Sequence, residues 1–172
     1  MPDNANLPAA ARSIPNKVRR HDLDEIDRRI ISRLQTDART PNNAVAAEVG
    51  IAPSTCLARI RSLEERGVIR GYYADIDPTA TGRGLQALIS VRIHSHARPN
   101  LGQFRNYLAS LDSVESIFFV TGERDFLVHV AVEDSAALHR LVAEGLSLRP
   151  EVAGTNTSVI FEWVRPASSR RS

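Results

Sequence analysis

Apolar residues recur at helical spacing near the start of the chain. Ile26, Ile30 and Leu34 form one stripe, and the stripe fades near Ala38. Asp24 stands just before it, where a carboxylate can accept hydrogen bonds from the free backbone N–H groups of a first helical turn. The pattern therefore predicts a first amphipathic helix that is capped by Asp24.

A shorter helix is predicted for the segment PNNAVAAEVG that follows. Thr40 is its expected N-cap and Pro41 its first helical residue, since proline suits a position whose N–H has no helical partner. Val45 and Val49 point inward. Gly50 ends the helix because glycine accepts the left-handed conformation common at a helix C-terminus.

A third helix, predicted over 53–66, carries two contrasting faces. Cys56, Ile60 and Leu63 recur at helical spacing and form its inward side. The other side has short side chains and arginines, which let a helix approach base edges closely and reach guanine or phosphate. The candidate DNA-contacting residues are Ser54, Thr55, Ala58, Arg59, Arg61 and Ser62.

The second and third helices are joined by a tight turn at 50–52. Helices joined in this way form the helix-turn-helix arrangement, whose second helix lies in the DNA major groove. The alternation in GVIRGYYADID predicts a hairpin wing behind them. An alternative is the ordinary solvent-exposed face of a small helical bundle, because acidic and basic residues are about equally frequent in this half and charge alone does not select DNA.

From Leu85 onward, strand patterns are interleaved with helical ones. The predicted order is LQALISVRI (strand), NLGQFRNYLASL (helix), VESIFFVTG and DFLVHVAVE (strands), SAALHRLVAEGL (helix) and TNTSVIFEWV (strand). This βαββαβ order is that of the ferredoxin-like fold, an antiparallel sheet with helices on one face.

The predicted sheet carries more apolar surface than two short helices would cover. A homodimer through sheet faces or edges is therefore expected. The residues concerned are Phe118, Phe126, Val128, Ile160 and Trp163.

The fold class predicted for the chain is α+β, in separate domains. The segment DIDPTATGRG contains the proline and glycines of a linker and divides the two patterns. The predicted segments are a disordered basic tail (1–21), a winged helix-turn-helix domain (22–77), a linker (78–84), a ferredoxin-like domain (85–165) and a flexible tail (166–172).

Composition narrows the class of protein. The 172 residues are 42% hydrophobic and 24% charged, with a net charge of +2, which is ordinary for a globular protein. No apolar run approaches the roughly 18–20 residues of a membrane helix, so we expect a cytoplasmic protein without a membrane partner. The single cysteine, Cys56, excludes an internal disulfide and lies on the apolar side of its helix.

An enzyme active site or a metal site has little support in the sequence. His94 and His96 would share one face of a strand, but the sequence places no third metal ligand near them. His129 lies within an apolar strand, and His139 falls on a predicted helix surface. No glycine-rich phosphate loop or nucleophile motif is present, so we expect no catalytic residue, no metal and no cofactor.

Four motifs in order carry a family resemblance: LDEIDRRIISRLQTDART, VGIAPSTCLARIRSLEERGVIRGYYADIDP, TGERDFLVHV and TNTSVIFEWV. They resemble the Lrp/AsnC, or feast/famine, family of prokaryotic transcription regulators. The resemblance implies a winged helix-turn-helix for double-stranded DNA and an effector domain that dimerises and often assembles further, for example into an octamer. It also implies that an amino acid or similar small metabolite binds between effector domains and changes assembly or DNA affinity. An amino-acid-sensing oligomer without functional DNA binding is the alternative.

The resemblance also implies positions for the sites. It makes 53–66 the recognition helix, although Ala52 stands where the family usually has a serine cap. Arg124 stands where an aromatic residue is common in the effector loop. The effector positions carried over are Gly122, Glu123, Arg124 and Asp125 in that loop, with Thr155, Asn156 and Thr157 as the second lip of the pocket.

The residues of the effector loop suggest how a zwitterion would bind. A tight turn at Gly122 exposes backbone N–H groups that suit a ligand carboxylate, and Asp125 suits an ammonium group. Asp125→Asn is then expected to leave the fold intact while removing the ammonium partner. The alternative is that both residues only form a hairpin turn and its side-chain hydrogen bond.

Overall fold

The computed structural model describes residues 22–162, which divide into two compact units with the boundary in the chain between Ala74 and Asp75. Each unit buries its own apolar cluster. The predicted tails at 1–21 and 166–172, together with Trp163, lie outside the described residues. Within 22–162, no helix combines the length and the apolar character needed to cross a membrane.

The first unit contains three helices. They are α1 (Glu25–Thr36), α2 (Asn42–Val49) and α3 (Pro53–Glu65). The predicted cap of α1 is confirmed, since the Asp24 carboxylate accepts a hydrogen bond from the Asp27 N–H at 2.8 Å. Gly50 ends α2 with φ 80°, the left-handed conformation that its position predicts.

The start of α2 differs from the prediction. Pro41 occupies the N-cap position, and no side chain caps the helix. The Thr40 hydroxyl instead donates to the backbone oxygen of Asp37 at 2.8 Å, and the Thr40 N–H bonds to the same oxygen. Thr40 therefore closes the turn after α1 and is not available to cap α2.

The core of this unit lies where the three helices meet. Its buried residues are Ile30, Val45, Ala46, Val49, Cys56 and Leu63. Cys56 is fully buried, as the apolar side of α3 predicts, and burial raises the pKa of its thiol. It serves as a small hydrophobe rather than as a reactive group.

Residues 67–77 do not form the hairpin wing that the sequence predicts. Among the described residues, no strand occurs between α3 and Leu85. Gly67 and Gly71 have positive φ and interrupt the extended backbone, while Tyr73 and Ile76 stay 65% and 59% exposed. A hairpin needs two backbone runs that pair with each other, and this segment supplies one.

The second unit is a four-stranded antiparallel sheet with helices. The strands are β1 (Leu85–Ile93), β2 (Val114–Phe119), β3 (Phe126–Val132) and β4 (Val152–Ile160). The helices are α4 (Leu101–Ala109), which follows a 3₁₀ turn over Ser95–Asn100, and α5 (Ser135–Arg140), which continues as a π-helix over Leu141–Ser147. The strand order β2-β3-β1-β4 confirms the ferredoxin-like α+β prediction.

Two strand ends differ from the prediction. β2 ends at Phe119 rather than Gly122, because the chain turns before β3 with Gly122 at φ 112°. β4 begins three residues earlier than predicted, since it pairs with β1 from Gln86 opposite Ile160 to Ile93 opposite Val152.

Side chains alternate between the two faces of the sheet. Ala87, Ile89 and Val91 of β1 are fully buried in the apolar cluster that α4 and α5 cover. Phe126 and Val128 lie in that same cluster, so they need no dimer to cover them.

The other face, called here the open face, is partly exposed and partly apolar. Phe118 pairs with Leu127 across β2 and β3, and it is 54% exposed. By the alternation and the register, the open face includes Leu88, Phe118, Leu127, His129 and Ile160.

Candidate DNA-binding surface and effector site

One side of α3 is exposed and consists of short side chains and an arginine. It lies opposite buried Cys56 and Leu63. Arg61 is exposed, and within residues 22–162 it makes no side-chain hydrogen bond or ion pair. This outer face of α3 consists of Ser54, Thr55, Ala58, Arg61 and Ser62, with Ser62 half-buried.

Arg59 points elsewhere. Its Nη1 donates to Asp24 Oδ2 at 2.6 Å and to Asp27 Oδ1 at 2.8 Å, at the start of α1. Hydrogen bonds from Arg59 to Asp24 and then to Asp27 raise the pKa of the guanidinium. The sequence placed Arg59 with the outer face, whereas the structure engages its head group within the unit.

The two carboxylates at the start of α1 hold both α3 and the residue after it. Asp27 is only 6% exposed, and Arg66 Nη1 lies 3.9 Å from its Oδ2. Arg66 Nη2 also donates to the Asp22 backbone oxygen at 2.9 Å. The Asp27 N–H, followed by the Arg59 guanidinium, lowers the pKa of Asp24. These contacts fix the orientation of α3 against α1.

Leu57 lies beside the outer face of α3 and is not among the residues that the sequence assigns to DNA. It is 40% exposed, next to Ala58. The sequence does contain a signal for this exposure. Leu57 follows Cys56 by one residue, and one residue of an α-helix rotates the side chain by about 100° from the inward stripe.

The turn before α3 lacks a side-chain cap. Ala52 is the N-cap residue and has no side chain that could accept from the first N–H groups of α3. Pro53 follows at the first helical position, where its missing N–H is not needed. Asn42 Nδ2 donates to the Pro53 backbone oxygen at 2.9 Å and ties the start of α2 to the start of α3.

The predicted effector loop lies at the end of the sheet where β1 finishes. Gly122 and Glu123 are exposed, Arg124 is half-buried and Asp125 is 6% exposed. Asp125 Oδ2 accepts a hydrogen bond from the Ile93 N–H at 2.8 Å.

The Asp125 carboxylate has a second partner. Its Oδ1 lies 3.2 Å from Nη2 of Arg98, whose side chain is 58% exposed. Asp125 also uses its own backbone, donating to the Val91 oxygen and accepting from the Val120 N–H, each at 2.9 Å. The carboxylate therefore anchors this loop to the end of β1. Asp125→Asn is then expected to lower the free energy of unfolding as well as to change the site.

The three predicted residues of β4 do not share a face. Thr155 and Thr157 pair with Val91 and Ile89 and so point to the helix-covered side, whereas Asn156 points to the open face. The Thr155 hydroxyl lies 3.3 Å from that of Ser147, at the end of the π-helix. β1 separates β3 from β4, which places Thr155 about 10 Å from the start of β3.

The histidines form no metal site among residues 22–162. The rings of His94 and His96 stack with centroids 5.2 Å apart, but no group of three potential metal ligands occurs there. His129 Nε2 lies 2.9 Å from Gln86 Oε1, and burial lowers the pKa of its imidazole.

Comparison with known proteins places both units. Residues 23–70 match a winged helix-turn-helix DNA-binding family, and residues 86–169 match the Lrp/AsnC ligand binding domain. The chain belongs to the Lrp/AsnC family. It is 51% identical over 154 residues to the HTH-type transcriptional regulator AldR of Mycolicibacterium smegmatis, with 90% of each chain covered.

Solved structures agree with this assignment. The structure of MtbAldR is 44% identical, has a TM-score of 0.77 and matches 87% of this chain and 99% of its own. A transcriptional regulator from Neisseria meningitidis in complex with L-methionine is 31% identical, with a TM-score of 0.77, and matches 86% of this chain and 95% of its own. The chain is thus a DNA-binding transcriptional regulator with a separate ligand-binding domain, and the family is not one of enzymes.

Proposed function

We propose that the outer face of α3 lies in the major groove of double-stranded DNA. The observation that carries this proposal is Arg61, exposed among short side chains and unpaired within residues 22–162. Ser54 and Ala58 leave room for the helix backbone to come close to base edges. Arg61 then reaches guanine or phosphate.

In this proposal Arg59 acts through the position of α3. Its Nη1 is held by two carboxylates of the first unit, and its side chain is only 33% exposed. Arg59 therefore sets the angle at which the outer face of α3 meets DNA, while Arg61 makes the contact.

The test compares Arg61→Ala with Arg140→Ala, which removes the same charge from an exposed position on α5. If Arg61 reads a base, affinity for the cognate site falls by about 1–3 kcal/mol. If it holds a phosphate, binding falls on all sequences and the salt slope drops by about one. Equal affinity of Arg61→Ala and Arg140→Ala on every duplex removes Arg61 from the interface.

We propose further that an amino acid or similar small metabolite binds at the effector loop and controls assembly or DNA affinity. The match to a ligand-binding domain and the L-methionine complex of the Neisseria relative support this. The exposed backbone at Gly122 and Glu123 offers N–H groups to the ligand carboxylate, and Arg124 favours polar or acidic side chains.

The ligand ammonium would take the place of Arg98 on Asp125. Arg98 is more than half exposed, so its ion pair contributes at most about 1 kcal/mol and is easily released. Thr155 and Thr157 point to the same side of the sheet and supply hydroxyl groups for the second lip, while Asn156 serves a ligand that reaches the open face.

The test is a melting panel of the common amino acids. A ligand at 100 times its dissociation constant stabilises the protein by about 2.7 kcal/mol. Thr155→Val should reduce the shift produced by a hit, whereas Ser158→Ala, on the same strand but the other face, should not. A hit that stabilises Thr155→Val and Asp125→Asn as much as wild type places the effector site elsewhere.

The open face supports a homodimer, and we propose that dimers assemble further, for example into an octamer. Phe118, Leu127 and Leu88 form an apolar centre on that face. Phe118→Asp should lower the mass measured by light scattering, and Leu148→Asp, at another exposed position, should not. A wild-type monomer would exclude both assemblies.

The location proposed for this regulator is the cytoplasm, on the DNA of the nucleoid. A dimer presents one α3 per chain, so its half-sites should lie one or more helical turns apart. Footprinting that protects a single isolated half-site would exclude a dimeric reader.

A further inference from the structure

Leu57 is the large apolar side chain that α3 leaves in solvent. It is 40% exposed and does not belong to the apolar cluster of the first unit. Ser54 precedes it by three residues and Arg61 follows it by four, so the three side chains lie along one strip of the helix. Pro53 and Ile60 flank Leu57 at the same helical spacing, but Leu57 itself is not among the residues that pack in the apolar cluster of the first unit.

We propose that Leu57 reads a thymine in the major groove by contact with its C5-methyl group. This inference rests on the placement of α3 in the groove proposed above. The thymine methyl is the apolar group that base pairs present in the major groove, where the other edges carry donors and acceptors. A leucine pressed against those polar edges would bury them without a hydrogen bond, which is unfavourable.

The position of Leu57 within α3 fits this role. α3 begins at Pro53, so Leu57 lies in its second turn, in the N-terminal half of the helix, which contacts base edges in helix-turn-helix proteins. Arg61 lies four residues further, or about 6 Å along the helix axis. Since base pairs are spaced by about 3.4 Å, the thymine should lie roughly two base pairs from the position that depends on Arg61.

The experiment selects binding sites from a random pool of DNA duplexes with wild type, Leu57→Ala and Leu148→Ala. Leu148 is 76% exposed in the second unit and provides the same chemical change outside the unit that carries α3. Wild type and Leu148→Ala should enrich a half-site with a fixed thymine, and Leu57→Ala should lose the preference at that base pair. Identical enriched sites for all three proteins overturn the proposal.

A second arm replaces each thymine of the selected duplex by deoxyuridine, which removes the methyl group alone. At one position, wild type should lose about fourfold in affinity, which corresponds to about 0.8 kcal/mol for one carbon removed from water. Leu57→Ala should show no loss there. Equal loss in both proteins, or no sensitive position, overturns the assignment of Leu57.

The outcomes separate this inference from the one on which it rests. If wild type enriches no sequence at all, the placement of α3 in the major groove fails and Leu57 fails with it. If Arg61→Ala behaves as proposed and the deoxyuridine series is silent, only the role of Leu57 fails. A lower assembly mass for Leu57→Ala would show a protein contact instead and also overturn the proposal.

Discussion

Asp125→Asn tests whether the carboxylate at the end of β1 is part of the fold as well as of the effector site. Asp125 is 6% exposed, and its Oδ2 accepts from the Ile93 N–H at 2.8 Å. Asparagine keeps one oxygen for that bond but turns a charge-assisted hydrogen bond into a neutral one. Charge-assisted bonds contribute about 1.5–3 kcal/mol and neutral ones about 0.5–1.5, so the change costs about 1 kcal/mol.

The other carboxylate oxygen, Oδ1, contributes less to the stability that Asp125→Asn removes. The asparagine NH₂ group would face Arg98 Nη2, where Oδ1 now lies at 3.2 Å, and the ion pair is lost. Because Arg98 is 58% exposed, solvent reduces this term to between 0 and about 1 kcal/mol. The expected total for Asp125→Asn is about 1–2 kcal/mol. Asp125→Ala should cost more, since it leaves the buried Ile93 N–H without an acceptor, at about 1–3 kcal/mol.

Circular dichroism melting at a fixed protein concentration measures this order, since mass action changes the melting temperature of an oligomer. Each kcal/mol shifts the melting temperature of a domain of this size by about 4–8 °C. Arg98→Ala is the matched control and should cost less than either change at Asp125. If Asp125→Asn melted at the wild-type temperature, or if Arg98→Ala lowered the melting temperature as much as Asp125→Asn, the argument from the buried hydrogen bond would be refuted.

Three further predictions concern Arg59, Gly50 and Asp24 of the first unit, and the control for Gly50 is a glycine of the second unit. Arg59→Met should lower the free energy of unfolding measured in urea by about 1–3 kcal/mol, because buried Asp27 loses its nearest hydrogen-bond donor. A variant as stable as wild type would contradict this prediction. Gly50→Ala should lower the free energy of unfolding by about 1–2 kcal/mol, because Gly50 has φ 80°. Gly102→Ala on α4 should raise it by about 0.5–1 kcal/mol. If both variants changed the melting temperature in the same direction, this prediction would be contradicted. The pKa of Asp24 is lowered from 3.8, so its contribution is complete above that pH and is lost as pH falls through the folded value. In Asp24→Asn, the free energy of unfolding measured in urea should depend less on pH between about pH 5 and pH 3 than in wild type. The same pH dependence in both proteins would contradict this prediction.

The local part of the structure could be predicted from sequence. β1 has the predicted bounds, 85–93, because its alternation is long and bounded by glycine. Asp24 caps α1 as expected because an N-cap depends on the next three residues. Contacts between distant residues were the difficult part. Arg59 finds its carboxylates 32 and 35 residues away, which no local pattern indicates.

Three differences between the sequence-based expectations and the structure have identifiable physical causes. The resemblance implies one lip over 155–157, but the period of a strand places Asn156 on the opposite face from its neighbours. Leu57 is not among the candidate residues because these are short side chains and arginines. The segment 67–77 does not form the predicted hairpin wing, because a hairpin needs a second backbone run that this segment does not contain.

Charged residues that sequence assigned to ligands divide according to how firmly the protein already holds them. Arg59 is paired with buried Asp27, and releasing it would leave that carboxylate without its nearest donor, so exchange toward DNA is unfavourable. Asp125 is paired with exposed Arg98, and its release costs no more than about 1 kcal/mol, which lowers ligand affinity by at most about fivefold. The same type of contact is therefore a fixed support for α3 at one site and an exchangeable place-holder at the other, because burial of the partner decides the cost of exchange.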